Sequence, residues 1–368
     1  MATSLDVESP PERRSGTGRS FGSSVLQGLE RGGLPLLLIL MFLFFALDPT
    51  SSSTFTSSAN LKNILSNQAV TGLVALAMVV PLTSGYFDLS VAATTGVANV
   101  ATAATIGTHH WPIAAGIAFA LLLGAVIGFI NGFLVAKMRL NGFVVTLGTY
   151  TLLGGLVILY TKGQLIIEGI PSSFGHWGAA DWFGVPRPFI LLIVVAAVVW
   201  YVLAHIPFGR KLESIGSNES AARLVGINVT RTVWVSFVIS GLLAAAAGVL
   251  QTSRAGNAGP ETASAFLFPA LAAVFLGATT IRPGRYNVWG TIVGVYFVAI
   301  SVSGFTLLGA EIWVQPVFNG TALVVAVALS TLIARGRERR GATAAAAELR
   351  HSVASDASSG KAASADDP

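Results

Sequence analysis

Two polar segments interrupt a chain that is otherwise poor in reactive side chains. The first, Thr83-Ser84-Gly85-Tyr86-Phe87-Asp88-Leu89-Ser90, lies between two apolar runs and holds the only acidic residue between Asp48 and Glu168. A carboxylate at membrane depth costs on the order of several kcal/mol unless it faces water, protein partners or a helix N-terminus. Asp88 and Ser90 suit a helix start, where their oxygens accept hydrogen bonds from free first-turn amides and negative charge complements the helix dipole. The same carboxylate fits the lining or gate of a polar pathway. Both roles are compatible, because a broken helix is tolerated only beside protein or a wet cavity. The second segment, Pro207 to Arg231, contains Gly216, Asn218, Glu219, Ala221, Ala222, Arg223 and Gly226. Asn218 is a good helix start, Glu219 suits the first turn, Ala221 to Val225 favour helix and Gly226 is a natural stop. This predicts a short amphipathic surface helix whose Ala221-Ala222 surface, flanked by Glu219 and Arg223, suits docking to another protein. A solvated, basic loop fits the same composition.

Other chemistries find no support. With no cysteine, disulfides, thiol catalysis and thiolate metal sites are excluded together. His109-His110 lacks a third ligand within reach. A phosphate-binding Gly-x4-Gly-Lys-[Ser/Thr] motif is absent, and Gly360-Lys361-Ala362 does not replace it. Gly16-Thr17-Gly18 follows no strand, so a dinucleotide site is unsupported. No nucleophile and base pair marks the apolar runs, so no catalytic residue, metal site or cofactor is expected and the chain is not read as an enzyme. Energy for any work must come from a partner or an ion gradient.

The elements that position these segments are ten apolar stretches, roughly 32–47, 61–82, 89–107, 111–136, 143–160, 189–204, 232–251, 265–280, 288–308 and 313–334. Most approach the ~20 residues with which a helix crosses a ~30 Å hydrocarbon layer. Hydrophobic residues make up 53% and charged residues 11%, with a mean hydropathy of +0.71, so a soluble fold would have no core large enough. If the N-terminus is cytoplasmic, 18 of the 22 Lys and Arg fall on the inner side, leaving Lys62, Lys162, Arg187 and Arg254 outside. Basic residues near helix ends resist translocation. The expected fold is therefore all-α and polytopic, with about ten transmembrane helices and both termini cytoplasmic. Residues 1–31 read as a disordered cytoplasmic lead, 32–334 as the transmembrane domain with an inner loop at 207–231, and 335–368 as a basic, disordered tail. Arg13-Arg14 is not followed by an apolar run for about twenty residues, which argues against an export signal. The net charge of +5 is satisfied by acidic lipid headgroups without nucleic acid.

Gly116, Ala120, Gly124, Gly128 and Gly132 recur every fourth residue, giving one helix a face narrow enough for close backbone approach. That face fits packing within the bundle or against a second copy. For a neutral polar solute, a pathway would use amides, hydroxyls and aromatic faces. The candidates are Tyr86, Phe87, Asp88, Asn99, Asn131, Gln315 and Asn319, each of which would serve equally in a helix-to-helix hydrogen bond or contact.

Several segments together resemble the membrane permeases of bacterial ribose, xylose and arabinose ABC importers. The family's Gly-Gly-Ile-Asp-Leu-Ser-Val-Gly is matched by Gly85-Tyr86-Phe87-Asp88-Leu89-Ser90-Val91-Ala92. Asn131-Gly132-Phe133-Leu134-Val135, Val145-Thr146-Leu147-Gly148-Thr149, Ser240-Gly241-Leu242-Leu243-Ala244 and Gly290-Thr291-Ile292 with Gly294 continue the likeness over residues 60 to 335. The loop bearing Ile215-Gly216-Ser217-Asn218 and Ala221-Ala222-Arg223-Leu224 is similar to the family's ATPase-contacting region. The resemblance implies a multi-pass protein of the bacterial inner membrane that moves a monosaccharide or polyol by alternating access. Implied partners are an ATPase that binds the ATP, an external sugar-binding protein and a second permease copy. Tyr86-Phe87 and Ala92 depart from the pattern by adding bulk around Asp88, and Ile281-Arg282-Pro283-Gly284-Arg285 is more basic and rigid than usual. The rival readings are an ion-coupled secondary transporter, which would place more ionisable groups at depth, and an ABC permease for a branched-chain amino acid or other small polar solute.

Overall fold

In the computed structural model, residues 21–328 are described, with side chains described from Gly32 onward. The expected lead at 1–31 overlaps this range only where a helix has already begun at Phe21, and its first twenty residues and the 335–368 tail lie outside the described residues. Fourteen α-helices follow in order: α1 (Phe21–Leu47), α2 (Ser52–Phe55), α3 (Ser58–Leu82), α4 (Ser90–Ala103), α5 (Ile113–Gly132), α6 (Gly142–Thr161), α7 (Ser172–Ala179), α8 (Arg187–His205), α9 (Pro207–Ser217), α10 (Glu219–Leu224), α11 (Val229–Ala255), α12 (Thr262–Gly277), α13 (Val288–Leu307) and α14 (Val314–Ala328). α4 and α5 each run on into a five-residue π-helical turn, at Ala104–Thr108 and Phe133–Lys137.

Asparagine and serine set many of the starts. Ser57, Asn141, Asn218, Asn228 and Asn287 cap α3, α6, α10, α11 and α13 by accepting a first-turn amide. Among the described residues six helices are long and apolar enough to cross a membrane, α3, α5 with its π turn, α6, α8, α11 and α13. α12, α14 and the Gly32–Leu47 part of α1 are shorter apolar helices. α4 falls short of that test because it has only 14 residues, among them Thr94, Thr95, Asn99 and Thr102, polar groups that are tolerated because they are buried in protein.

The core is built around α3, α4 and α11, with α5, α6, α8, α12 and α13 outside them. The small-residue stripe packs within the molecule: a Cβ at Gly124 would overlap the Gly241 carbonyl and Ala245, and one at Gly128 would overlap the Phe237 carbonyl. α5 and α11 therefore touch backbone to backbone, which in lipid is the contact that van der Waals packing rewards.

The expectation of a purely α fold meets one exception. Asp181–Trp182 and Val185–Pro186 pair as a two-stranded hairpin, turned by Phe183 and Gly184 at φ of 53° and 80°. Positive φ at both turn positions is the geometry that matches strand twist in a two-residue hairpin. The hairpin, α7 and the bridge between Ile166 and Ala258 cover one end of the bundle, where Lys62 pairs with Asp181 at 2.6 Å and Arg254 binds Asn67. α9 and α10 cover the opposite end, where most of the described basic residues lie. α9 was legible only as loop.

Candidate functional site

At the basic end, three consecutive residues between α3 and α4 reach in three directions. The Tyr86 hydroxyl donates to Glu219 Oε2 at 2.8 Å, and Arg223 holds the other Glu219 oxygen at 2.6 Å across one turn of α10. The hydrogen bond from Arg223 is the main reason the Glu219 carboxyl stays below the usual range, aided by Tyr86. Burial, and then the Glu219 carboxylate, push the Tyr86 hydroxyl up to about 12, so it remains a donor at every physiological pH.

The Phe87 ring stacks on Phe275 of α12 with centroids 6.3 Å apart and meets Phe143 of α6 edge-on at 6.4 Å. Phe275 in turn meets Tyr286 at 5.7 Å. These are the separations at which ring quadrupoles attract. The result is an aromatic wedge joining three elements beside the opening of α4.

Asp88 turns into the protein and is 3% exposed. Its Oδ1 accepts from the Ser90 amide at 3.1 Å and the Ser90 hydroxyl at 2.5 Å, and its Oδ2 accepts from the Ser240 hydroxyl of α11 at 2.8 Å. Asn131 of α5 donates to Ser90 Oγ at 2.8 Å and accepts from Thr149 of α6 at 2.7 Å. The Leu89 amide finds Thr146 at 3.1 Å. A chain of short bonds ending on the Asp88 carboxyl satisfies both of its buried oxygens and holds the first turn of α4. Four helices thus meet at one carboxylate.

The polar surface helix adjoins this assembly. Asn218 Oδ1 accepts from the Ala221 amide at 2.9 Å, and Gly226, at φ 83°, ends the turn after α10. Ala222 is buried among Val135, Ile215, Val229, Val233 and Phe237, whereas Ala221 is exposed. A Cβ at Gly216 would overlap the Thr83 carbonyl oxygen, so the last turn of α9 rests directly on the backbone that leaves α3. Glu213 reaches Arg282 at 3.5 Å and Arg285 at 3.8 Å, tying α9 to the basic loop before α13. Such exposed pairs contribute only about 0–1 kcal/mol.

The remaining candidates lie elsewhere. Asn99 sits at the far end of α4, fully buried, donating to Thr252 Oγ1 at 2.8 Å and the Asn257 carbonyl at 3.3 Å. Its oxygen accepts from Thr262 at 2.9 Å and the Gly259 amide at 3.4 Å. Gln315 is exposed, and Asn319 is buried with no hydrogen bond to its Oδ1; both are on α14, which packs through Phe318 on Phe297 and Phe305. The two polar segments therefore form one assembly, and Asn99 and the α14 pair are separate from it. Among the described residues no cluster of three or more His, Asp or Glu could hold a metal.

Sequence reasoning passed over Leu224 and Val225, which are 89% and 76% exposed at the end of α10. Helical spacing from Ala222 supplied the signal for Leu224, since a buried 222 turns 224 outward; Val225 is the C-cap, where the helix has already ended, and spacing gave no sign of its exposure. It also missed Ser240 as the second anchor of Asp88 and Glu213 as a partner of the 281–285 loop.

A bundle of apolar helices with a buried polar break and a polar helix pair across one end defines a multi-pass transport protein. Residues 60–328 match the family described as branched-chain amino acid transport system, permease component, and the chain belongs to it. It is similar to the ribose import permease protein RbsC of Escherichia coli, 32% identical over 79% of this chain and 91% of that one. Its likeness to RbsC of Bacillus subtilis is 35% over 80% and 90%, and to the L-arabinose transport system permease protein AraH of Escherichia coli 33% over 81% and 89%. No solved structure matches. The chain is a multi-pass membrane permease of a bacterial ABC importer, a non-enzymatic subunit, and the ion-coupled reading falls away.

Proposed function

We propose that this permease carries a monosaccharide or a related polyol inward, and that α9 and α10 are the unit through which a partner ATPase drives it. On this reading the basic end faces the cytoplasm, ten helices span the bilayer with both termini inside, and a sugar-binding protein docks outside against a permease dimer. The positive-inside rule supports the orientation, since Arg139, Arg210, Lys211, Arg223, Arg282 and Arg285 all belong to the α9 and α10 end. The relatives whose names specify ribose and arabinose support the sugar. An amino-acid zwitterion would call for paired opposite charges at depth, and Asp88 is already occupied by Ser90 and Ser240.

The observation that carries the coupling role is the Tyr86 to Glu219 hydrogen bond. Together with the seating of Gly216 on Thr83, it makes the surface helices and the 83–89 segment one body. Movement of α10 then displaces the Phe87 wedge and tilts the start of α4, opening the inner end. Leu224 and Val225 offer the ATPase an apolar contact beside the Glu219 and Arg223 pair.

The test is Tyr86→Phe in the permease reconstituted with its ATPase and binding protein, with sugar uptake and ATP hydrolysis measured separately. Removing one hydrogen bond to a charged acceptor, worth about 1.5–3 kcal/mol, is expected to cut uptake about tenfold while hydrolysis continues. Unchanged sugar moved per ATP would refute the coupling role. Absence of ATP-driven uptake of any pentose or hexose by the wild-type complex would refute the substrate class.

A further inference from the structure

The wall of the bundle at its basic end carries a second site. A groove of about 610 Å³ lies between the end of α5 and the start of α11, lined on its polar part, here called the mouth, by Lys137, Thr230 and Arg231 and on its apolar part, the floor, by Phe129, Trp234 and Val238. Trp234 is fixed there: its indole N–H donates to the Phe129 carbonyl at 2.9 Å, and its ring lies 4.8 Å from Phe129 and 5.7 Å from Phe133. With its polar atom satisfied by backbone, the indole offers a rigid apolar face at the level where tryptophan favours the membrane interface.

The mouth is built differently from its surroundings. Arg223 is paired with Glu219, and Arg282 and Arg285 with Glu213, but Lys137 and Arg231 are exposed and have no carboxylate partner among the described residues. Arg231 also lies in the first turn of α11, where the helix dipole is positive and an anion is favoured. Arg139, Arg210 and Lys211 have no carboxylate partner among the described residues either, but none of them lines this groove. Beyond the floor, the outward face of α5 shows Leu122, Val126 and Ile130, the surface expected against lipid tails.

We propose that this groove binds an anionic phospholipid of the inner leaflet, the phosphate between Lys137 and Arg231 and one acyl chain over Trp234 and Val238. Two cations beside apolar lining residues match that amphiphile, whose headgroup and acyl chain need both. The site abuts the coupling assembly, because Val229, Thr230 and Val233 of the same helix start line the cavity beside Tyr86, Glu219 and Arg223. A bound lipid would therefore steady the turn between α10 and α11. The assignment rests on the basic end being cytoplasmic.

The experiment reconstitutes the full chain in nanodiscs of phosphatidylcholine alone or with phosphatidylglycerol, reading retained lipid by native mass spectrometry and the thermal midpoint. Wild type is expected to retain phosphatidylglycerol in preference to phosphatidylcholine and to melt higher in its presence. Lys137→Gln with Arg231→Gln should weaken the preference about thirtyfold, the contribution of two basic residues at an anionic surface, while Arg210→Gln with Lys211→Gln preserves it. Equal retention by both double variants overturns the proposal, as does reproduction of the thermal shift by inorganic phosphate in phosphatidylcholine. Because the chain has no cysteine, Ser217→Cys labelled by an impermeant thiol reagent reports sidedness independently. Labelling from outside would sink the orientation itself, whereas labelling from inside with no lipid preference would sink the lipid site alone.

Discussion

The two ends of α4 are both held by buried polar networks, but the networks differ in kind. At the Asn99 end four hydrogen bonds join neutral groups, closing α4 onto α11 and the 257–262 loop. At the Asp88 end the bonds converge on a carboxylate, and the residues just before it touch α10 and α12. A neutral, saturated staple holds position and offers nothing to pull on. On the proposed reading, a carboxyl anchor one residue from an aromatic wedge and two from a hydrogen bond to a surface helix couples position to movement. If the proposed coupling holds, the contrast teaches that burial alone does not mark a functional polar residue; what marks it is a short covalent path to an element that a partner can move.

The comparison can be broken most forcefully at the staple. Asn99→Leu removes four bonds and strands the Asn257 carbonyl, the Gly259 amide and the Thr262 hydroxyl, at about 1–3 kcal/mol for each group left unpaired. The thermal midpoint should fall more than for any other substitution considered, while folded protein keeps its ratio of sugar moved to ATP hydrolysed. A changed ratio would erase the distinction between the two ends.

Asp88→Asn is the complementary case. The shape is conserved and the charge lost, so stability should fall by about 1–2 kcal/mol and sugar moved per ATP by about tenfold. Full uptake would reduce Asp88 to a cap. Phe87→Leu is smaller again: it forfeits ring contacts worth about 0.5–1.5 kcal/mol, so uptake should drop a few fold, with a raised passive sugar leak from loaded vesicles in the absence of ATP.

The smallest effect concerns pH. Glu219 has a lowered carboxyl pKa, so its contribution is present above the ordinary value of about 4.3 and is lost only as pH falls through the lower folded value. Sugar moved per ATP should then be flat between about pH 6 and 8, measured in vesicles buffered alike on both sides. A titration of coupling in that window that vanishes in Glu219→Gln would contradict the assigned state of the pair.

Much of this was legible in residue order. The apolar stretches foretold the long helices because length and hydropathy are local properties, and Asn218, Glu219 and Gly226 foretold α10 because capping chemistry is local too. The stripe from Gly116 to Gly132 announced a close contact without saying with what; Gly241 and Phe237, over a hundred residues away, supply the answer. The surroundings of the candidate pathway residues were not legible. An amide in an apolar run looks the same whether it bonds four neighbours, as Asn99 does, or links Ser90 to Thr149, as Asn131 does. The junction of the two polar segments depends on Tyr86 and Glu219, 133 positions apart, which no periodicity can bring together.

The most direct measurement exploits the absence of native cysteine. Tyr86→Cys with Glu219→Cys deletes the hydrogen bond and allows a short bis-methanethiosulfonate, which reacts with both thiols and releases two sulfinates, to replace it covalently. If the surface helix and the 83–89 segment move as one body, the reconstituted complex should be uncoupled before bridging and regain most of the wild-type sugar moved per ATP after it. Bridged protein that hydrolyses ATP but moves no more sugar than the unbridged form would contradict the account.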